Sequence, residues 1–142
     1  MREQYKNVLV AVDGSDQAYH AVQEAIEIVK RNDGKLWVLT VKETNRYYDT
    51  LDMSVVGTTE LDKMGSDILA KVNELVNAQV ELDARDLYDN NAKRKIVQYA
   101  EDNGIDLIVI GSTGTGMIDK LFIGSTTQYV VNHAPCNVMV IK

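Results

Sequence analysis

The residues with the most chemical promise lie late in the chain, in "IVIGSTGTGMIDKLFIGSTTQYVV" (residues 108–131). An apolar run ends at Gly111, Gly114 follows after two residues, and Gly124-Ser125 after nine more. Glycine has no Cβ, so the main chain can approach a ligand closely, and N–H groups at a helix start point at an anion. Ser112, Thr113, Ser125 and Thr126 add hydroxyl donors. The chemistry implied is the holding of phosphate by main-chain and hydroxyl groups rather than by a basic surface. The spacing is not that of a Walker A loop, which needs GxxxxGK[ST], and Asp119 stands where the third glycine of GxGxxG would fall after Gly114 and Gly116. A second candidate is Asp13-Gly14-Ser15, at the end of the first apolar run. Asp13 offers a short acceptor for an amine or hydroxyl, although Asp-Gly is also common turn chemistry and Asp13 equally suits a helix cap.

Both candidates need rigid elements behind them. Val8 to Val12 is a near-continuous β-branched run and reads as a strand buried on both faces. Ser15 or Asp16 then caps a helix in which Ala18, Ala21, Val22, Ala25, Ile26 and Val29 recur at three and four, and Asn32-Asp33-Gly34 stops it. "KLWVLTV" (35–41) is a second buried strand. A loop carrying Tyr47 and Tyr48 leads to a long amphipathic helix marked by Leu61, Met64, Ile68, Leu69, Val72, Leu75 and Val76. "VELDARDLY" reads as an edge strand, "NNAKRKIVQYAEDNG" as a third helix closed by Asn103-Gly104, and "IDLIVIG" as the most apolar strand. A fourth helix runs to about His133, and "NVMVIK" is the last strand. The order βαβαβαβαβ predicts a doubly wound α/β fold with a parallel sheet and helices on both faces. Ligands of such sheets bind beyond the carboxyl ends of the strands, where the winding reverses. Asp13 and Gly111 are the two ends to inspect.

The 142 residues suit one domain spanning 1–142. The formal charge is −6, and most of the acid falls between residues 43 and 91, with 4 Lys or Arg against 11 Asp or Glu. No basic stripe is available for nucleic acid. The single cysteine, Cys136, cannot form an intrachain disulfide or a cysteine zinc site. The apolar run near the N-terminus is too short for a signal peptide and no run of 18 apolar residues occurs, so the expectation is a cytoplasmic protein without a membrane span.

A strand ending in Gly111, followed by GxxG(x9)G[ST] and "HAPCNVMVIK", resembles the universal stress protein family. "NVLVAVDGS" is similar to that family's first strand and turn, "LIVIGSTG" to its fourth strand and "GSTTQYVVNHAPCNVMVI" to its last helix and strand. The resemblance covers the whole chain. It implies a five-stranded sheet in the order 3-2-1-4-5 with four helices, of the adenine nucleotide alpha hydrolase-like kind. For the branch that keeps the glycine spacing it also implies bound ATP, with Mg²⁺ or Mn²⁺ commonly accompanying the phosphates. Carried over by position, Asp13 and the main chain at Val41 would meet the adenine. Gly111, Gly114, Gly124 and Ser125 would hold ribose and phosphates, with Ala11, Val12, Ser112, Thr113 and Thr126 close by. Thr115 stands where many relatives have Arg or Lys, and Lys120 is the candidate to compensate. Asn90 replaces a usual Gly before the third helix, and Asn tolerates the left-handed conformation.

Other reactive side chains read as structural: His20 on the first helix, His133 at a helix C-terminus and Cys136 as a small buried hydrophobe. No catalytic residue is assigned. The last strand places Val138, Met139, Val140 and Ile141 at a sheet edge, which invites pairing with another chain. Relatives commonly dimerise there, so a homodimer is expected. The resulting expectation is an ATP-binding, nucleotide-dependent regulatory or stress-response dimer. A dimerising scaffold without nucleotide and a slow ATP hydrolase are the alternatives.

Overall fold

A computed structural model describes residues 4–44, 54–113 and 123–142, with side chains from Thr59 onward in the second helix. The strands are Asn7–Ala11 (β1), Lys35–Glu43 (β2), Glu81–Asp89 (β3), Leu107–Gly111 (β4) and Asn137–Ile141 (β5). Asp16–Asn32 (α1), Ser54–Val76 (α2), Ala92–Asp102 (α3) and Ser125–His133 (α4) connect them. All pairings are parallel and the sheet order is β3-β2-β1-β4-β5, as expected.

Alternation along each strand explains the two layers. Val8, Val10, Leu36 and Val38 face α1 and α2, whereas Leu9, Leu39, Ile108 and Ile110 face α3 and α4. Because β1 is the middle strand, Val8, Leu9 and Val10 are completely buried. Asp106 fixes the start of β1 beside β4, its carboxylate accepting the N–H groups of Lys6 at 3.1 Å and of Asn7 at 3.1 and 3.2 Å.

Ser15 is the cap of α1, accepting from the Ala18 N–H at 3.2 Å. The helix stops at Asn32-Asp33-Gly34, as expected, but the left-handed residue is not the glycine. Asp33 takes the left-handed conformation at φ 50°, and Gly34 is small for another reason: a Cβ there would lie 2.7 Å from the Lys6 carbonyl oxygen. Asn90 does not use left-handed backbone at all. The turn before α3 is instead built by side chains, with Asp89 accepting the Asn91 N–H and Asn91 capping the Arg94 N–H. Met64, expected among the core positions of α2, is 40% exposed.

At the end of β2 the face that carries Val38 receives Lys42, a buried ammonium. It lies 3.2 Å from Asp86 of β3, 3.4 Å from Asp62 of α2 and 4.0 Å from the centre of the Tyr88 ring. Gly65 packs directly over this cluster, since a Cβ there would come within 2.4 Å of Asp86 Oδ2. The Tyr88 hydroxyl donates to Asp62, and that bond, ahead of the nearby Lys42 ammonium, holds the Asp62 carboxyl below the usual carboxylate range.

Candidate functional site

A cleft of about 370 Å³ opens at the carboxyl ends of the strands. That volume is in the range of small-molecule pockets. It straddles β1 and β4, the pair where the winding direction reverses. Its floor is Ala11, Val12, Leu39, Val41, Ile110 and Gly111; α2 supplies Leu61, Met64 and Ile68 from one layer, and α3 supplies Ala92 and Ile96 from the other. Met64 is thus a wall of the cleft, which explains its departure from the core.

Most of the residues singled out from sequence converge here. Ala11, Val12, Asp13, Val41, Gly111, Thr113, Gly124, Ser125 and Thr126 all line the cleft. Ser112 stands behind it, its N–H donating to the Ile141 carbonyl at 2.7 Å and its own carbonyl accepting the Gly124 N–H at 2.7 Å. Gly114, Thr115, Lys120, Tyr47 and Tyr48 lie outside the described residues.

The hydrogen bonds decide which main-chain groups can serve a ligand. The N–H groups of Ser112 and Gly124 are committed as above, and that of Thr113 donates to Gln17 Oε1 at 2.9 Å. The Thr113 hydroxyl donates to the same oxygen. Gln17, on the first turn of α1, therefore holds the exit of β4. Gly111 is needed for that contact, since a Cβ there would lie 3.1 Å from Gln17. The Thr127 hydroxyl donates to the Gly111 carbonyl at 2.7 Å and ties α4 to the same strand end. The first-turn N–H groups of Ser125, Thr126 and Thr127 have no acceptor within their own helix, and the capping residue, Gly124, supplies no side-chain acceptor. They stand at a cleft wall that carries the positive end of the α4 dipole.

Of the roles open to Asp13 from the sequence, the structure shows that of the turn, while the cap of α1 is Ser15. The Asp13 Oδ1 accepts the Ser15 N–H at 3.0 Å, shaping the turn before α1, and the residue stays exposed at the cleft. Its negative charge is felt nearby: burial first, then Asp13 and Asp67, push the Tyr19 phenol above its ordinary pKa. Sequence reading did not single out Gln17, whose role depends on a partner 96 positions away. Nor did it single out Thr40, a buried hydroxyl at the cleft in an otherwise aliphatic stretch of β2. Among the described residues no three His, Cys, Asp or Glu side chains gather as a metal site requires. No helix among them is long and apolar enough to cross a membrane.

The family model described as "Universal stress protein family" matches residues 4–142. This chain belongs to the universal stress protein family. A relative from Staphylococcus saprophyticus, named as a universal stress protein, is 36% identical over 141 residues, covering 97% of this chain and 84% of its own length. Among solved structures, the universal stress protein UspA from Lactobacillus plantarum superposes with a TM-score of 0.87 at 37% identity, covering 99% of this chain and all of that one. The universal stress protein from Archaeoglobus fulgidus in complex with dAMP has a TM-score of 0.67 at 22% identity, covering 97% of this chain and 98% of that one, and shares the fold. The universal stress protein fold thus accounts for every described strand and helix here.

His20 is exposed on α1, away from the cleft lining. The His133 Nδ1–H donates to the Tyr129 carbonyl at 2.9 Å, and its ring stacks on that of Tyr129. Cys136 packs partly buried against the α3 and α4 layer.

Proposed function

We propose that this universal stress protein binds an adenine nucleotide, ATP foremost, in the cleft across β1 and β4, and that the nucleotide regulates a homodimer rather than serving as a substrate. The observation that carries the reading is the α4 N-terminus at the cleft wall, with a glycine cap and the hydroxyls of Ser125 and Thr126 beside it. That is phosphate-holding chemistry. Gly111 and Thr113 border that wall at the end of β4, while Asp13 and the Val41 main chain hold the base from the other side. The aliphatic walls from α2 and α3 suit a flat ring. The dAMP complex of the Archaeoglobus protein supports the adenine end of the assignment. A divalent ion, Mg²⁺ or Mn²⁺, would be held chiefly by the phosphate oxygens and would neutralise their charge in a chain of net charge −6.

Protein purified without added ligand is denatured, the released small molecules are identified by mass spectrometry, and ATP is titrated calorimetrically with and without Mg²⁺. We expect released adenine nucleotide or micromolar binding. Failure of both outcomes would overturn the reading and favour a dimerising scaffold. Phosphate release measured beside Gly124→Leu tests turnover, and we expect none above that variant.

The dimer reading rests on β5, which pairs with β4 and forms one edge of the sheet with Met139 39% exposed. Val138, Met139, Val140 and Ile141 would add a second copy's strand along that edge. Light scattering at micromolar concentration should give a dimer mass, and a monomer would count against it.

A further inference from the structure

Buried hydroxyls in a folded chain nearly always find a partner. Thr127 donates to the Gly111 carbonyl and Thr113 to Gln17. Thr40 differs: it is 1% exposed, and among the described residues its Oγ1 is the fully enclosed side-chain polar atom without a hydrogen-bond partner. A valine would fill the same space in this aliphatic strand without a stranded polar atom. The fold therefore gains nothing from the hydroxyl.

Its position gives it a use. Ala11 pairs with Leu39 and the Val12 N–H donates to the Leu39 carbonyl at 3.0 Å, so Thr40 lies level with the Val12-Asp13 end of β1. It lines the cleft. Alternation puts its side chain on the face of Val38, toward the α2 layer that contributes Leu61, Met64 and Ile68. The α2 wall above it is aliphatic, while its register partner on β3 is Asp86 of the Lys42 cluster; in such an enclosed setting a hydrogen bond is strong and selective. Gly111 and the α4 N-terminus belong to the strand two places away, roughly 9.5 Å across the sheet at the usual strand spacing. A ligand whose phosphates sit at α4 brings its opposite end, the base, toward Thr40.

We propose that Thr40 is a specificity-determining contact, its hydroxyl hydrogen-bonding the polar edge of a heteroaromatic base held between the α2 wall and the end of β1. A hydroxyl can donate or accept, so it can meet a ring nitrogen or an exocyclic amine. The inference rests on the nucleotide reading above and deepens it by naming a side chain that reads the base.

Thr40→Val keeps the shape and removes the hydroxyl. With ATP as the probe in calorimetry, its affinity should fall about tenfold relative to the wild type, the range of one buried hydrogen bond. In the absence of ligand its melting temperature should hold or rise, because the stranded hydroxyl is gone. Thr40→Ser should recover most of the affinity. Undiminished ATP affinity in Thr40→Val, with the wild type binding normally, would overturn this inference alone. So would a loss of affinity matched by a lower ligand-free melting temperature and not recovered by Thr40→Ser, which would mark a packing role. If the wild type itself does not bind ATP, the nucleotide reading fails and takes this inference with it.

Discussion

Gly65 stands in the interior of α2, where glycine ordinarily costs about 1 kcal/mol relative to alanine, yet alanine there should destabilise this protein. The added Cβ would lie 2.4 Å from Asp86 Oδ2 and 3.2 Å from Lys42 Cδ. Asp86 must rotate away, and its 3.2 Å ion pair with Lys42 is lost with it. Stripping a partner from a buried charge costs about 3–5 kcal/mol. Here the loss is smaller, roughly 2 kcal/mol by the same reasoning, because Lys42 retains Asp62 at 3.4 Å and the Asp86 side chain is 29% exposed. Subtracting the propensity gain leaves a net destabilisation of about 1 kcal/mol, or about 3 °C in melting temperature for a chain of this size. Urea and thermal unfolding followed by circular dichroism would measure it in four proteins: wild type, Gly65→Ala, Asp86→Ala and the double variant. With Asp86 already removed, Gly65→Ala should become stabilising by about 1 kcal/mol, so the cycle closes with a coupling near 2 kcal/mol. The reasoning is refuted if Gly65→Ala is as stable as wild type, or if its penalty survives in the Asp86→Ala background.

Gly34→Ala should cost about 2–3 kcal/mol, because its Cβ meets backbone, the Lys6 carbonyl oxygen at 2.7 Å and that of Tyr5 at 3.0 Å. Gly104→Ala, with φ 63° but nothing within 4 Å of the added atom, should cost only the left-handed strain of about 1 kcal/mol; equal effects in chemical denaturation would contradict this account. Asp106→Ala strands the N–H groups of Lys6 and Asn7 and should cost about 2–3 kcal/mol, with hydrogen exchange at those two amides rising ahead of the rest of β1. Asp62 has a depressed pKa in the folded state, set first by the Tyr88 hydroxyl. Its contribution is therefore present above the unfolded aspartate value and lost as pH falls through the lower folded value. The stability gap between wild type and Asp62→Asn should shrink on acidification below pH ~4, and a gap that widens there would reverse the sign argued here.

Periodicity in the sequence was enough to find each described element, because strands buried on both faces and helices with one buried stripe write different repeats. It marked the ends of Val8 to Val12 and of the run before Gly111 as the ones to inspect, the order that sets those strands side by side came with the family resemblance, and the cleft lies there. What it missed depends on contacts between distant residues. Gln17 looks like any polar residue on a first helical turn until Thr113 arrives beside it. Lys42 reads as an exposed charge near a strand end, whereas Asp62, Asp86 and Tyr88 from two other elements enclose it. Asp33 rather than Gly34 takes the left-handed turn, and what requires the glycine is its fit against Lys6. Of the residues the sequence offered as hydroxyl donors, Thr113 donates its hydroxyl to Gln17 and Ser112 stands behind the cleft.

The sheet order also has a consequence for synthesis. β1 leaves the ribosome before the other four described strands and is the middle strand of the finished sheet. One of its edges can be paired as soon as β2 is made, at residues 35–43, but the partner for the other edge begins at Leu107. For the translation of more than sixty residues between those strands, Val8, Leu9 and Val10 offer an apolar edge with unpaired amides and carbonyls. A nascent chain stalled before β4 should accordingly be retained by holdase chaperones and aggregate when they are withheld, whereas one extended through Gly111 and clear of the exit tunnel should be released.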